Sequence, residues 1–177
     1  DHLIKLFNEL GITRNLGENI RPCILRLGTV YGASDRPRYD LVVNLFSGLI
    51  ANKKEITING GKQWRPFIHV KDVADAIIKV INSDKKMVNG QIMNLVSENI
   101  QIAKIGKIIK SMYPKAKIKY EHSTSDHRDY RASNKKAKKM IKFKPNYRII
   151  DGIKEVVLQT KKEKIKKLFD KKYINIL

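Results

Sequence analysis

The chain has 177 residues and 42% of them are hydrophobic, which is enough for a core and excludes a disordered tail. The single cysteine excludes an internal disulfide bond, and no apolar run approaches the ~20 residues of a membrane span. Because no signal sequence is visible either, we expect a reduced, cytoplasmic compartment.

The sequence is strongly basic, with 37 lysine and arginine residues against 17 aspartate and glutamate residues. Three explanations compete: nucleic-acid binding, electrostatic attraction of an anionic small substrate, and a compositional background. The lysines are spread along the chain and are densest in SNKKAKKMIKFK and TKKEKIKKLFDKK. These segments have the spacing of solvated helical faces and lack the aromatic residues of a stacking surface. We therefore favour a compositional background over nucleic-acid binding.

The first part of the chain alternates helical and strand patterns. Apolar residues at helical spacing predict the end of a helix over residues 1–10, and the first residue is Asp rather than Met, as in a chain cut from a longer one. The apolar segment CILRLGTV predicts a buried strand ending between Gly28 and Gly32, with Cys23 as a small core residue. A wide apolar face predicts the next helix in LVVNLFSGLIAN.

The centre of the sequence contains two short strands and the strongest helix pattern. EITING predicts a strand closed by Gly60 and Gly61, and RPFIHV predicts a second strand. DVADAIIKVIN predicts a helix with Asp72 as its N-cap, while Asp75 adds negative charge to its first turn.

The same alternation continues to the end of the chain. GQIMNLVS and AKIKYEH predict strands, and a helix that begins near Ile102 is ended by Pro114. Residues 133–142 and 150–170 are basic and helical in pattern. Since helices alternate with strands and no internal boundary is visible, we expect a layered α/β fold in one lobe over residues 1–177.

Arg65 is the first candidate for binding chemistry, because Trp64 and Pro66 flank it and an apolar strand follows. Stiff surroundings reduce the entropy that a guanidinium loses when it grips phosphate oxygens with paired hydrogen bonds. The alternative is a structural salt bridge to Asp72 or Asp75. The functional interpretation predicts an anionic ligand, such as the diphosphate of a sugar nucleotide.

The segment SDHRDYRAS is the second candidate. Arg128 and Arg131 stand three residues apart, with Asp126, Asp129 and Tyr130 among them. One interpretation is a second phosphate clamp, in which Asp126 orients an arginine or bonds a ribose hydroxyl. The other is a self-neutralised loop before a helix.

Familiar catalytic patterns are missing from the sequence. It contains no glycine-rich dinucleotide fingerprint, no GxSxG, no CxxC and no HExxH zinc spacing. We interpret His69 as a hydrogen-bonded structural residue of its strand and assign it no catalytic role. Tyr113 and Lys117 have the YxxxK spacing of a known catalytic pair, but Pro114 disfavours the helix that such a pair needs. We therefore assign no catalytic residue and no metal site.

The sequence resembles the C-terminal half of extended short-chain dehydrogenases/reductases, the NAD-dependent nucleotide-sugar epimerases and dehydratases. The resemblance rests on CILRLGTVYGASDRPRYDLVVNLF and ITINGGKQWRPFIHVKDVADAI, and it continues through DHRDYRASNKKAKKMIKFKPNYRIIDGIKEV. It implies an α/β fold, namely the C-terminal part of a Rossmann-type doubly wound sheet plus the smaller α/β substrate-binding lobe.

The resemblance also implies roles for individual residues. Leu27 would lie on the cofactor side, and Thr29 would lie where the nicotinamide meets the sugar, in contact with both cofactor and substrate. Thr57 and Asn59 would lie near the nucleotide base. Arg65 matches the family arginine that grips the diphosphate.

The closing part of the family pattern falls on the second candidate segment. Asp126 and Tyr130 match a D-x-x-x-Y element that contacts the substrate. Some relatives carry a second phosphate arginine at the position of Ser123, so Arg128 is our candidate for a substitute. Relatives also often carry Asn in place of Thr29.

The resemblance implies that residues 1–177 form the substrate-binding portion of a longer enzyme. The N-terminal cofactor-binding region, with its glycine-rich loop and its catalytic Tyr-x-x-x-Lys helix, would precede it. The intact protein would bind NAD, oxidise a sugar hydroxyl transiently and act as a homodimer, whereas this portion alone would be inactive. Two alternatives stay open: a redox-inactive nucleotide-binding module of the same fold, and a basic nucleic-acid-binding domain.

Overall fold

The computed structural model describes residues 22–122 and 128–174, and the helix predicted over residues 1–10 lies outside them. Within the described ranges the strands pair mostly in parallel: β1 with β5, β2 with β4, and β3 with β7, while β6 runs antiparallel to β4. The strands are β1 (Ile24–Leu27), β2 (Thr29–Tyr31), β3 (Ile56–Asn59), β4 (Trp64–His69), β5 (Ile92–Leu95), β6 (Glu98–Gln101) and β7 (Ile118–Glu121).

Helices connect these strands, as parallel pairing requires. None of the helices within the described ranges is both long and apolar enough to cross a membrane. The pattern of parallel pairs and crossover helices is the α/β class that the sequence predicts. The helices are α1 (Val42–Ala51), α2 (Val70–Ile81), the single turn α3 (Lys85–Val88), α4 (Ile102–Met112), α5 (Lys135–Ile141) and α6 (Ile149–Lys162).

The strand predicted in CILRLGTV is divided in the structure at Gly28. The Gly28 backbone N–H donates to the Leu95 carbonyl at 2.9 Å, which ends the pairing of β1 with β5. A Cβ at Gly28 would lie 3.0 Å from the Pro66 carbonyl oxygen of β4, so the small residue allows the chain to approach its second partner. The prediction of one buried strand was therefore wrong, and β1 is only half-buried.

The strongest helix prediction was correct in kind but placed the N-cap three residues late, at Asp72 instead of His69. His69 is the N-cap of α2, because its Nδ1 accepts a hydrogen bond from the Lys71 backbone N–H at 3.2 Å. Asp72 is instead fully buried in the first turn. It accepts hydrogen bonds from the backbone of Asn146 at 2.8 Å and of Tyr147 at 3.3 Å. Asp72 thus ties α2 to the loop before α6.

Two other sequence predictions concern helix ends. The helix predicted over residues 150–170 stops at Lys162, because the following turn places Ile165 and Leu168 in a small cluster with Tyr39. The rejection of a catalytic pair at Tyr113 is consistent with the structure, since this residue is the C-cap of α4 and the chain then leaves the helix.

The core consists of two main clusters on opposite faces of β4. Phe67 belongs to the cluster that α1, α4 and α6 cover, whereas Ile68 belongs to the cluster around β5 and α5. Cys23 is half-buried against this second cluster, and burial raises the pKa of its thiol. Because both faces of β4 are packed, the strand is a rigid support for the polar residues at its two ends.

Candidate functional site

A cleft of about 450 Å³ opens beside the start of α1, the outer face of β3 and the start of β4. Alternation along β3 buries Ile56 and Ile58 and turns Thr57 and Asn59 outward into this cleft. The opposite wall is apolar and comes from α1 and the first residue of α4. The predicted site residues that line the cleft are Thr29, Thr57, Asn59, Arg65, Arg128 and Tyr130.

Arg65 is the most buried charged group in the cleft, with only 6% of its surface exposed. Its Nη1 donates to the backbone carbonyl of Trp64 at 2.8 Å and also to the carbonyl of Arg128. Its guanidinium carbon lies 5.5 Å from the centre of the Tyr130 ring. These three partners orient the guanidinium, while Asp72, one of the two predicted salt-bridge partners, accepts hydrogen bonds from other residues.

Residues 128–132, which we call the strap, run beside the start of β4. Asp129 accepts a hydrogen bond from the Trp64 backbone N–H at 2.9 Å, and the Tyr130 N–H donates to the Trp64 carbonyl at 3.3 Å. The Arg131 guanidinium carbon lies 4.1 Å from the centre of the Trp64 ring. The charged groups of Asp129 and Arg131 therefore contact the first residue of β4, and the two candidate segments of the sequence meet at one place.

Thr29 lies at the junction of the cleft with a second cavity of about 450 Å³. The second cavity is bounded by β2 and the loop before α1. Asn44 fixes that loop by accepting a hydrogen bond from the Gly32 N–H at 3.1 Å. Arg38 also lines the second cavity, and it forms an ion pair of 2.5 Å with Asp40 of the cleft.

Among the described site residues that the sequence predicts, Leu27 does not line the cleft. Leu27 is 46% exposed at the carboxyl end of β1, outside both cavities. Asp126 lies outside the described residues, as does Ser123. Their roles remain predictions.

The interpretation of His69 as a hydrogen-bonded residue agrees with its surroundings. It is fully buried, with Nε2 at 3.1 Å from a carboxylate oxygen of Glu155 and its ring stacked on Tyr147 at 4.4 Å. Burial lowers the pKa of His69, and the negative charge of Glu155 opposes this effect only in part. Glu155 also forms an ion pair with Lys71, with 2.7 Å between the carboxylate oxygen and the ammonium nitrogen. The His69 ring and the Glu155 carboxylate are therefore both bonded to other side chains of the protein.

Sequence reasoning missed two polar residues of the cleft. Gln63 stands two positions before Arg65 in an extended segment, a spacing that could have placed both on one face. Its side-chain amide donates to the Asn59 carbonyl at 3.0 Å. Asp40 lies in a loop whose sequence predicts only a break, so no local pattern pointed to it.

Comparison with known sequences identifies the family. The model of the NAD dependent epimerase/dehydratase family matches residues 6–95. The chain is 31% identical over 140 residues to the UDP-glucuronate 4-epimerase of Thermodesulfobacterium geofontis, a match that covers 76% of the chain and 41% of that protein.

Solved structures show the same fold. The UDP-glucose 4-epimerase of Thermotoga maritima, solved with UDP-glucose, superposes with a TM-score of 0.74 at 21% identity, over 92% of this chain and 52% of that one. The UDP-glucuronic acid 4-epimerase of Bacillus cereus, in complex with UDP-glucuronic acid and NAD, gives 0.72 at 23% identity, over 92% and 50%. The chain thus spans about half the length of these proteins. It belongs to the NAD-dependent epimerase/dehydratase family of extended short-chain dehydrogenases/reductases.

Proposed function

We propose that residues 1–177 are the substrate-binding portion of an NAD-dependent nucleotide-sugar epimerase or dehydratase, and that the cleft holds the nucleoside diphosphate of the sugar nucleotide. The observation that carries the proposal is the meeting of β4 and the strap. This meeting places Arg65 and Arg128 in the wall of one cleft. The sugar nucleotides named with the related epimerases support the same class of ligand.

Different residues of the cleft suit different parts of the nucleotide. Arg65 and Arg128 supply positive charge for the diphosphate, because guanidinium groups match phosphate oxygens in charge and in planar geometry. Thr57 and Asn59 present neutral donors and acceptors, as base recognition requires. The apolar wall from α1 excludes water from the bound ligand, which strengthens these polar contacts.

The sugar would extend from the cleft past Thr29 into the second cavity, because this residue lines both. NAD, when bound, would accept and return a hydride during transient oxidation of a sugar hydroxyl. What this chain offers the cofactor is Leu27, an exposed apolar side chain at the carboxyl end of a parallel strand. Ligands of doubly wound sheets bind at such ends, so the residue fits contact with a nicotinamide ring.

Catalysis itself would use the Tyr-x-x-x-Lys pair of the preceding region, and residues 1–177 would supply positioning. Contacts to a diphosphate far from the reacting carbon fix the geometry of that carbon and lower the entropy cost of the reaction. The proposed role of Arg65 is therefore to hold the substrate, with no part in proton or hydride transfer.

The test is calorimetric titration of the chain with UDP and with uridine, which lacks the diphosphate. We expect UDP to bind more tightly than uridine. Arg65→Ala should weaken UDP binding about 30-fold, equivalent to the loss of about 2 kcal/mol of charged hydrogen bonding. Uridine binding should change little.

Lys107→Ala is the charge-matched control, because Lys107 is exposed on α4 and does not line the cleft. It should leave both affinities unchanged. If the unaltered chain binds uridine as tightly as UDP, or if Lys107→Ala causes the same loss as Arg65→Ala, the cleft is not a diphosphate site.

A further inference from the structure

We propose that Asn99 is a positioning residue for the diphosphate grip: it holds the strap on the edge formed by β4 and β6, and through the strap it holds the Arg65 guanidinium at the cleft. This inference rests on the proposed function and assigns a role to a residue that neither lines the cleft nor stood out in the sequence.

Asn99 lies on β6, directly opposite Pro66 of β4 in the antiparallel ladder. Its side chain forms a reciprocal pair of hydrogen bonds with the backbone of Ala132, the last residue of the strap. Nδ2 donates to the Ala132 carbonyl at 2.9 Å, and Oδ1 accepts from the Ala132 N–H at 2.9 Å. An asparagine amide used in this way pairs with a backbone unit as a neighbouring strand would.

The other residues of the strap continue the connection toward the cleft. Asp129, Tyr130 and Arg131 contact Trp64, and the carbonyl of Arg128 accepts from Arg65. Asn99 therefore fixes one end of a five-residue segment whose other end holds the guanidinium. The backbone of the strap is the only link needed between the two.

The energetic argument concerns side-chain entropy. A free arginine side chain loses about 2 kcal/mol of rotamer entropy when it is fixed. In this structure the strap has already fixed Arg65, through a carbonyl oxygen and the face of Tyr130. A ligand that meets a preorganised guanidinium does not bear that cost. If the strap were released, the Arg65 side chain would regain part of its rotamer entropy, and ligand binding would have to remove it again.

The experiment measures UDP and uridine affinities of Asn99→Ala by calorimetry, well below the melting temperature of each variant. We expect UDP binding to weaken about tenfold, as the returned rotamer entropy implies, and uridine binding to stay within about twofold. A purely structural role would affect both ligands alike. In the Arg65→Ala background, Asn99→Ala should weaken UDP binding less than it does in the unaltered chain, because Arg128 is then the one diphosphate-binding arginine of the cleft that the strap still positions.

Asn52→Ala is the matched control. The Asn52 side-chain amide also bonds two backbone carbonyls, those of Gly48 at 3.0 Å and Ile165 at 2.9 Å, but it lies at the far end of α1 from the cleft. This variant should lower the melting temperature and leave the preference for UDP over uridine unchanged. If Asn99→Ala does not fold, Asn99→Ser replaces it under the same criteria.

Three results would overturn the inference: an unchanged UDP affinity in Asn99→Ala, an equal loss for UDP and uridine, or a loss that persists undiminished in the Arg65→Ala background. A different result, in which the unaltered chain does not prefer UDP to uridine, would overturn the proposed function instead. The two failures are therefore distinguishable within one set of titrations.

Discussion

The two ends of β4 each carry a buried side chain that can be positively charged, but the surroundings of these two side chains differ. Arg65 and His69 lie on the same face of the strand, on either side of Phe67, and both are buried, with 6% and 0% of their surface exposed. Arg65 borders a cleft of about 450 Å³, whereas His69 is enclosed by Glu155, Tyr147 and the start of α2. Burial of a polar group is thus a weak guide to function, and the space next to the group is a better one.

Glycine residues allow the groups around His69 to pack closely against it. A Cβ on Gly152 of α6 would lie 2.4 Å from the buried ring of Tyr31, and a Cβ on Gly32 would lie 2.7 Å from His69 Nε2. The helix and the loop can therefore close directly onto the strand. At the Arg65 end, the strap and α1 stand apart and leave the cleft between them.

The largest effect on stability should come from Gly152→Ala, which adds a methyl group against the buried Tyr31 near the His69 end of β4. Alanine is favoured over glycine in a helix by about 1 kcal/mol, so an uncrowded site would be stabilised. Because Tyr31 is buried and cannot move away, we expect instead a loss of about 3 kcal/mol in the free energy of unfolding. Denaturant titration measures this. Lys154→Ala, at an exposed position of the same helix, is the control, and a stabilised Gly152→Ala variant would contradict the packing argument.

A smaller loss of stability, about 2 kcal/mol, is expected for His69→Ala, which removes the N-cap of α2 and the stacking on Tyr147. UDP affinity should stay within about twofold, because no part of His69 faces the cleft. A tenfold loss of UDP binding in a folded His69→Ala variant would break the contrast between the two ends of the strand.

Arg65→Lys tests the cleft end of β4, by asking whether the geometry of the guanidinium matters as well as its charge. Lysine keeps the positive charge but has no planar fork, so it cannot match two phosphate oxygens or stack on Tyr130 in the same way. We expect UDP binding to weaken about tenfold, less than for Arg65→Ala, with little change in stability. Equal affinities for the lysine variant and the unaltered chain would mean that charge alone, without geometry, is sufficient.

The smallest expected effect is a dependence of stability on pH. Burial lowers the pKa of His69 in the folded state below its usual value of 6.5, although Glu155 and Asp72 oppose the shift. As pH falls below about 6.5, the unfolded chain binds a proton before the folded one does, so folding becomes less favourable. The contribution of His69 to stability is present above that pH and is lost as pH falls through the lowered pKa.

Denaturant titrations between pH 7.5 and pH 5 would measure this dependence. The pKa of Glu155 is itself lowered by Lys71 and His69, despite its partial burial, so its carboxylate stays ionised over this range. His69→Ala is the control, and its stability should fall less steeply with decreasing pH than that of the unaltered chain. Parallel slopes for the two proteins would show that His69 does not take up a proton on unfolding.

Local patterns predicted the long helices. The periodic segments that became α1, α2 and α4 carry enough apolar residues on one face to be recognised from spacing alone. β6 was missed because Glu98–Gln101 has no apolar alternation, and it is a strand through its pairing with β4. The division of the first strand at Gly28 was missed for the same reason, since a change of pairing partner leaves no mark in local periodicity.

The cleft residues show the same limit. Thr57 and Asn59 followed from a family resemblance, and Arg65 followed from its stiff neighbours as well. Asn99 carried no signal, because one polar residue in a short polar segment resembles any other until its partner is known. Its partner Ala132 stands 33 positions away in sequence.

The amino-acid sequence by itself determined the helices with a continuous apolar face, the rigid setting of Arg65 and the family to which the chain belongs. These properties depend on neighbouring residues, whose separation is set by the backbone. Only the tertiary structure decided that the strap lies on β4, that Asn99 holds it there, and that Arg65 borders open space while His69 does not. Contacts between distant segments depend on which faces the helices bury and how closely glycines let them approach, and local sequence does not encode that geometry.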